Sequence, residues 1–105
     1  MKKILLSFLI VINFYLLADD FILIDVRTIP EFNNGHIETS INIQWENIDK
    51  ILGEVEKDST IYLYCRSGNR SNKATHKLID LGYKNVKNIG GIKEASKFLG
   101  LNIVN

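Results

Sequence analysis

Ile61-Tyr62-Leu63-Tyr64-Cys65-Arg66-Ser67-Gly68-Asn69-Arg70-Ser71 decides how this chain is read. The first four residues are an apolar run that fits a buried strand. A helical pattern begins near Ser71 and runs to Leu81, with Ala74, Leu78 and Leu81 on one stripe. The cysteine therefore stands on a strand-to-helix turn, between two arginines, with Gly68 to let the backbone curl. Helix N-termini and nearby cations both favour anions. Such surroundings lower a thiol pKa from about 8.5 toward roughly 3.5–7.5. The expected species at Cys65 is a thiolate nucleophile in a cradle formed by the N–H groups of Ser67 through Ser71.

The residues on either side repeat a strand–helix alternation. Phe21-Ile22-Leu23-Ile24 is a continuous apolar run closed by Asp25, as expected of a strand buried on both faces of a parallel sheet. Pro30 opens a short helix over residues 30–34, where its missing N–H is not needed, and Gly35 ends it. Ile41-Asn42-Ile43 is a second strand. Ile48, Ile51, Leu52 and Val55 have amphipathic spacing and predict a helix over residues 47–55. The cysteine-bearing strand covers 60–64, and Gly82 follows its helix as a C-terminal cap. Val86 to Ile89 is a fourth strand, Gly90-Gly91 a tight turn, and residues 92–99 a last helix with Ile92, Ala95 and Leu99 inward. This order implies an α/β domain with parallel pairing and right-handed crossovers. Sites in such sheets form at the C-terminal ends of strands, so Asp25-Arg27 and Cys65-Arg70 should converge there.

The 105 residues make one domain, preceded by a targeting segment. Met1-Lys2-Lys3 is basic, residues 4–17 are apolar except for Ser7 and Asn13, and Ala18 precedes Asp19-Asp20. This is the three-part pattern of a signal peptide over residues 1–18. The apolar stretch is short of the roughly 20 residues of a membrane span. Cleavage after Ala18 leaves a mature domain over residues 19–105, in the periplasm, with no stable membrane insertion. A retained anchor and an N-terminal core helix are the alternatives. Of 13 basic residues, loss of Lys2 and Lys3 leaves 11 against 12 acidic, a net charge of −1. That balance offers nothing to nucleic acid or to anionic membranes. Cys65 is the single cysteine, so no internal disulfide can form, and an odd cysteine in an exported protein is intermolecular or reactive. No His, Cys or Asp cluster has metal-ligand spacing, and neither metal nor cofactor is implied.

The cysteine loop resembles the active-site loop of the rhodanese family of sulfurtransferases. Asp25-Val26-Arg27, Glu31-Phe32, Gly35-His36-Ile37 and Ile41-Asn42-Ile43 follow that family's N-terminal signature in order. Gly82-Tyr83 and Gly90-Gly91-Ile92 fit its C-terminal half. The likeness covers Phe21 to Leu99, and size and leader look most like the short periplasmic single-domain rhodaneses of the phage-shock protein E type. It implies a small rhodanese-like domain whose Cys65 takes a sulfane sulfur from a small-molecule donor such as thiosulfate and passes it from a persulfide to a thiophilic acceptor. By the same resemblance the donor is bound by Arg66, Ser67, Gly68, Asn69 and Arg70, with Arg70 holding its oxyanion and Arg66 steering. Two departures stand out. Thr39-Ser40 occupy the place of the family's usual Gly-Ala. Little chain separates Ala18 from the first strand, so a sheet of about four strands is expected.

Other readings of the same residues are weaker. Cysteine phosphatases and arsenate reductases place five residues between Cys and Arg; here Arg70 follows after four, and position 71 is Ser71. A non-catalytic rhodanese-like binding module does not need an intact Cys65. A thiol carrier without a resolving cysteine needs a partner protein. Cys65 as an inert core residue fits poorly beside two cations. Asp25 is expected to anchor backbone or an arginine, His36 to hydrogen-bond within its turn, His76 to face solvent, and Trp45 to pack. Asn69-Arg70-Ser71 also fits a glycosylation sequon, but belongs to the cradle.

Overall fold

The computed structural model describes residues 21–105. The segment 1–18, read above as a signal peptide, lies outside them. The elements in order are β1 (Ile22–Asp25), α1 (Ile29–Asn33), β2 (His36–Ile37), β3 (Ile41–Asn42), a 3-10 helix (Trp45–Ile51), β4 (Thr60–Cys65), α2 (Asn69–Asp80), β5 (Asn85–Gly91), α3 (Ile92–Leu99) and β6 (Ile103–Val104). β3, β1, β4 and β5 form a four-stranded sheet in that order, every pairing parallel. The expected α/β architecture, a four-stranded parallel sheet flanked by helices, is therefore the observed one.

Alternation along β4 sets the two faces of the sheet. Ile61, Leu63 and Cys65 join Ile24, Val26, Ala74 and Leu78 in one apolar cluster, beneath α2 and the 3-10 helix. Tyr64 joins Leu23, Ile37, Ile89 and Ala95 in a second cluster, on the side of α3. Cys65 therefore ends the buried face of β4 at the point where the chain turns up into α2.

Three elements differ from the sequence expectation. The predicted helix over 47–55 is a 3-10 helix ending at Ile51, with non-helical dihedrals at Asn47. Ile48 and Ile51 are buried while Leu52 is exposed. Three residues per turn align positions i and i+3 and swing i+4 away, so Leu52 leaves the core while Val55, beyond the helix, still packs against it. Residues 90–91 are not a turn. β5 continues through Gly91, and one extra residue lies on β5 between the Leu63–Asn88 and Cys65–Gly91 pairs. Gly90 takes a φ of +93° within this bulge, a conformation that favours glycine. Finally, the C-terminus returns as β6 to pair antiparallel with β2, a two-residue ladder too short to carry a sequence pattern.

The edge that carries the loop is braced by polar contacts. Asp25 is fully buried and takes both Nε and Nη2 of Arg27, the latter at 2.6 Å. Arg27 Nη2 also donates to the Gly35 carbonyl at 2.7 Å. Asp25 thus anchors an arginine, as expected. Thr39 adopts a φ of +72°, which is costly for a β-branched residue, where the family's usual glycine has no such difficulty. Its neighbour Ser40 donates to the Ile37 carbonyl at 2.7 Å and bonds the Tyr64 hydroxyl at 3.0 Å. Tyr64 in turn accepts the Ile37 N–H. Burial, ahead of those bonds, holds the Tyr64 hydroxyl up at about 12, so it stays neutral.

Removing one partner of a buried ion pair strands the other. Asp25→Ala is expected to lower unfolding stability by about 3–5 kcal/mol, read as a shift of the urea midpoint. An unshifted midpoint would show that Arg27 finds water or another acceptor.

Candidate active site

The turn from β4 into α2 is built by Gly68, which sits at φ +97° and ψ −9° as the helix N-cap. It has no side chain to cap the helix, and the Cys65 sulfur takes that place. Sγ accepts the Gly68 N–H at 3.0 Å. The Ser71 hydroxyl lies 3.4 Å from the same atom. Cys65 is 1% exposed and closes the apolar cluster beneath α2, while its sulfur meets the Gly68 amide and the Ser71 hydroxyl at the floor of the loop. Burial raises the thiol pKa, but Ser71 and the amides of Ser71, Ser67 and Gly68 outweigh it, and the net shift is downward. That arrangement suits an anionic sulfur and a nucleophile.

Around this centre the predicted residues divide. Ser67 and Asn69 are exposed on the loop surface and at the start of α2, and Arg66 is exposed beside them. Arg70 is half-buried. Its Nη1 and Nη2 meet the two carboxylate oxygens of Glu31, at 2.8 and 3.0 Å. This bidentate pair spans from α1 to α2. The expected convergence of the two strand-end segments comes from the β1–β4 pairing, which sets Asp25 opposite Tyr64 and bonds the Val26 N–H to the Tyr64 carbonyl. Glu31 has a second duty, since its Oε1 accepts the Thr28 N–H and hydroxyl and completes a capping box on α1. Arg70 chiefly, against burial, and Thr28 hold the Glu31 carboxyl down at about 2 from an ordinary 4.5.

Two further contributors escaped the sequence reading. Asn88, near the C-terminal end of β5, accepts from the Ser71 hydroxyl at 2.7 Å and from the Gly90 N–H at 3.0 Å, and donates to the Gly68 carbonyl at 3.1 Å. Its place at a strand's C-terminal end was the available signal. Gly91 lets β5 pass against the loop, because a Cβ there would lie 2.5 Å from the Arg66 carbonyl oxygen. No spacing in the sequence announces that approach. His36 stacks on Phe32 and places Nδ1 2.9 Å from the Phe32 carbonyl oxygen, a local hydrogen-bonding role as expected. His76 is exposed, and Trp45 packs against the core. Among the described residues no group of His, Cys, Asp and Glu could hold a metal ion.

Residues 15–97 match the family described as the Rhodanese-like domain. The chain belongs to that family. This rhodanese-like domain is 32% identical over 73 residues to the thiosulfate sulfurtransferase PspE of Escherichia coli, an alignment covering 68% of the chain and 70% of that protein. It is 40% identical over 84 residues to the adenylyltransferase and sulfurtransferase UBA4 of Candida albicans, covering 71% of this chain but 19% of that protein. The chain thus spans about a fifth of that much longer relative. Among solved structures it is similar to a rhodanese with anions from E. coli, with a TM-score of 0.71 and 28% identity over 80% of this chain and 96% of that one. Both of these curated relatives are named sulfurtransferases.

Two measurements probe the geometry. The folded-state Glu31 carboxyl titrates below its unfolded value, so the ion pair stabilises fully above about pH 4.5 and its contribution fades as pH falls toward 2. The urea midpoint of wild type minus that of Glu31→Gln should shrink across that window; a constant difference would show that the pair does not hold in solution. Gly91→Ala, which drives a methyl into the Arg66 carbonyl, should lower stability by roughly 1–3 kcal/mol.

Proposed function

We propose that this domain is an exported thiosulfate sulfurtransferase. The Cys65 thiolate attacks the outer sulfur of thiosulfate; the S–S bond of the donor breaks, and sulfite leaves with the bonding pair. Cys65 then carries a persulfide. Cyanide or a thiolate attacks the outer persulfide sulfur, the second S–S bond breaks, and the Cys65 thiolate returns. This is two-step covalent catalysis.

The observation that carries the reading is the sulfur itself, buried yet turned toward the Gly68 amide and the Ser71 hydroxyl. A persulfide extends the same anion by one atom, and the amides of Ser67 through Ser71 are the groups proposed to receive it. Arg66, exposed at the mouth, is assigned to steering the dianionic donor. Arg70 is assigned to the donor's oxyanion, with Glu31 fixing its guanidinium. Gly68 supplies an amide and the turn, and Asn69 completes the mouth. Donor and acceptor are small molecules. The periplasmic location rests on the N-terminal pattern of residues 1–18, and the relationship to PspE supports a single-domain enzyme of that type.

Mass spectrometry of the exported protein after treatment with thiosulfate tests both parts. The expected species begins at Asp19 and is heavier by one sulfur atom, which cyanide removes as thiocyanate. Cys65→Ser should lose the added sulfur and the thiocyanate together. Thiocyanate production that survives in Cys65→Ser would overturn the assignment, and an unmodified Cys65 in a folded protein would favour a binding module.

A further inference from the structure

Ser71 carries one hydroxyl proton and faces two acceptors. Asn88 Oδ1 lies at 2.7 Å and Cys65 Sγ at 3.4 Å. The orientation of the Asn88 amide is not free. Its Nδ2 donates to the Gly68 carbonyl and its oxygen receives the Gly90 N–H, so a flipped amide would set donor against donor and acceptor against acceptor. Asn88 therefore presents an oxygen to Ser71, and an oxygen can only accept. The short contact assigns the Ser71 proton to Asn88. The Ser71 lone pairs then face Sγ, where they accept from a thiol S–H but repel a thiolate.

We propose that Asn88 is a positioning residue that acts on Cys65 through Ser71. In the resting thiol, protons run from Sγ to Ser71 Oγ and from Ser71 Oγ to Asn88 Oδ1. On ionisation the thiol proton leaves to solvent, the Ser71 hydroxyl rotates onto the sulfur anion, and Asn88 Oδ1 keeps the Gly90 N–H as its donor. Ionising Cys65 thus requires breaking the Ser71–Asn88 bond, and Asn88 competes with the sulfur for one proton. The inference rests on reading Cys65 as the sulfur nucleophile, and it names what governs when that nucleophile is released.

Several charged groups on the elements around Cys65 are held in pairs or caps, while Lys73, Lys77 and Asp80 on α2, Lys93 and Lys97 on α3 and Glu46, Asp49 and Lys50 on the 3-10 helix make no ion pair among the described residues. Arg70 on α2 is tied to Glu31 on α1, Asp25 on β1 to Arg27, and Glu94 on α3 accepts the Gly91 N–H at 2.9 Å. Arg66 is exposed on the loop, and Lys87 on β5 stands over the Phe98 ring. These groups are common to all the variants below.

Cys65 is the only cysteine, so thiolate absorbance read against Cys65→Ser as a blank reports its ionisation without any sulfur donor. Asn88→Ala frees the Ser71 proton for the sulfur and should lower the ionisation midpoint by about one pH unit, or about tenfold more thiolate below the midpoint. The same substitution in a Ser71→Ala background should leave the midpoint where Ser71→Ala alone puts it. A shift of equal size in both backgrounds, or an upward shift in the single variant, would overturn the proposal, because Asn88 would then act through the Gly68 backbone. Should Asn88→Ala not fold, Asn88→Asp keeps the shape and holds the Ser71 proton more firmly. Adding Ser71→Ala to Asn88→Asp should then lower the midpoint, and a rise would count against the proposal. A chain that ionises in this way yet takes no sulfur from thiosulfate would refute the sulfurtransferase reading and leave the Ser71–Asn88 linkage standing.

Discussion

One helix N-terminus without a side-chain cap organises this domain. The first N–H groups of a helix have no intrahelical partner and must find one. In α2 the N-cap is Gly68, which offers no oxygen, and the waiting acceptor is the Cys65 sulfur three residues earlier. A sulfur in that position is a structural cap, and under the proposed function it is the reactive atom as well. Its negative form satisfies the amides better than its neutral form, so the local folding requirement and the chemical requirement point the same way. The cap works only because Gly68 reaches a left-handed φ that other residues rarely adopt.

The loop in turn is held by β5 rather than by its own residues. The bulge before Gly91 lets β5 catch up one residue against β4, and the missing side chains at Gly68 and Gly91 let the two backbones touch. Asn88 then ties the carbonyl of Gly68 and the hydroxyl of Ser71 to the same strand. Two short paired segments, β4 and β5, thus fix the sulfur from below and from the side. A domain this small has a marginal core. Its buried polar side chains double as cross-links: Asp25–Arg27 joins β1 to the Gly35 turn, and the Tyr64 hydroxyl joins β4 to β2 and Ser40.

How much of this was written in the sequence depends on the range of each interaction. The apolar runs of β1 and β4 were legible because burial on both faces needs no partner to be known. The turn at Cys65 was legible because its glycine, arginines and helix start are neighbours in the chain. The 3-10 helix was misread because Ile48 and Ile51 satisfy either period and the decision rests on Leu52 and Val55, which the packing of the whole domain makes. Asn88 and the Arg70–Glu31 pair are separated from their partners by 17 and 39 residues, and no local pattern records such distances. Gly90-Gly91 carried a signal, but a pair of glycines reads equally as a turn or as a close approach.

The balance of charge at the loop decides which forces act on an anion there. Arg70 is half-neutralised by Glu31, and Arg66 stands in solvent, where its field is screened within about 8–10 Å at physiological ionic strength. The Gly68 amide meets the buried Sγ directly, where intervening ions cannot reach. The affinity of the site for a sulfur anion therefore belongs to backbone dipoles and to the hydroxyl of Ser71. In the proposed function the charges act earlier, on approach, and salt weakens them first. Such a division keeps the net charge of the cleft low enough that a neutral thiol can also reside there. It leaves the protonation of one atom, rather than the total charge of the loop, as the quantity on which the proposed reactivity turns.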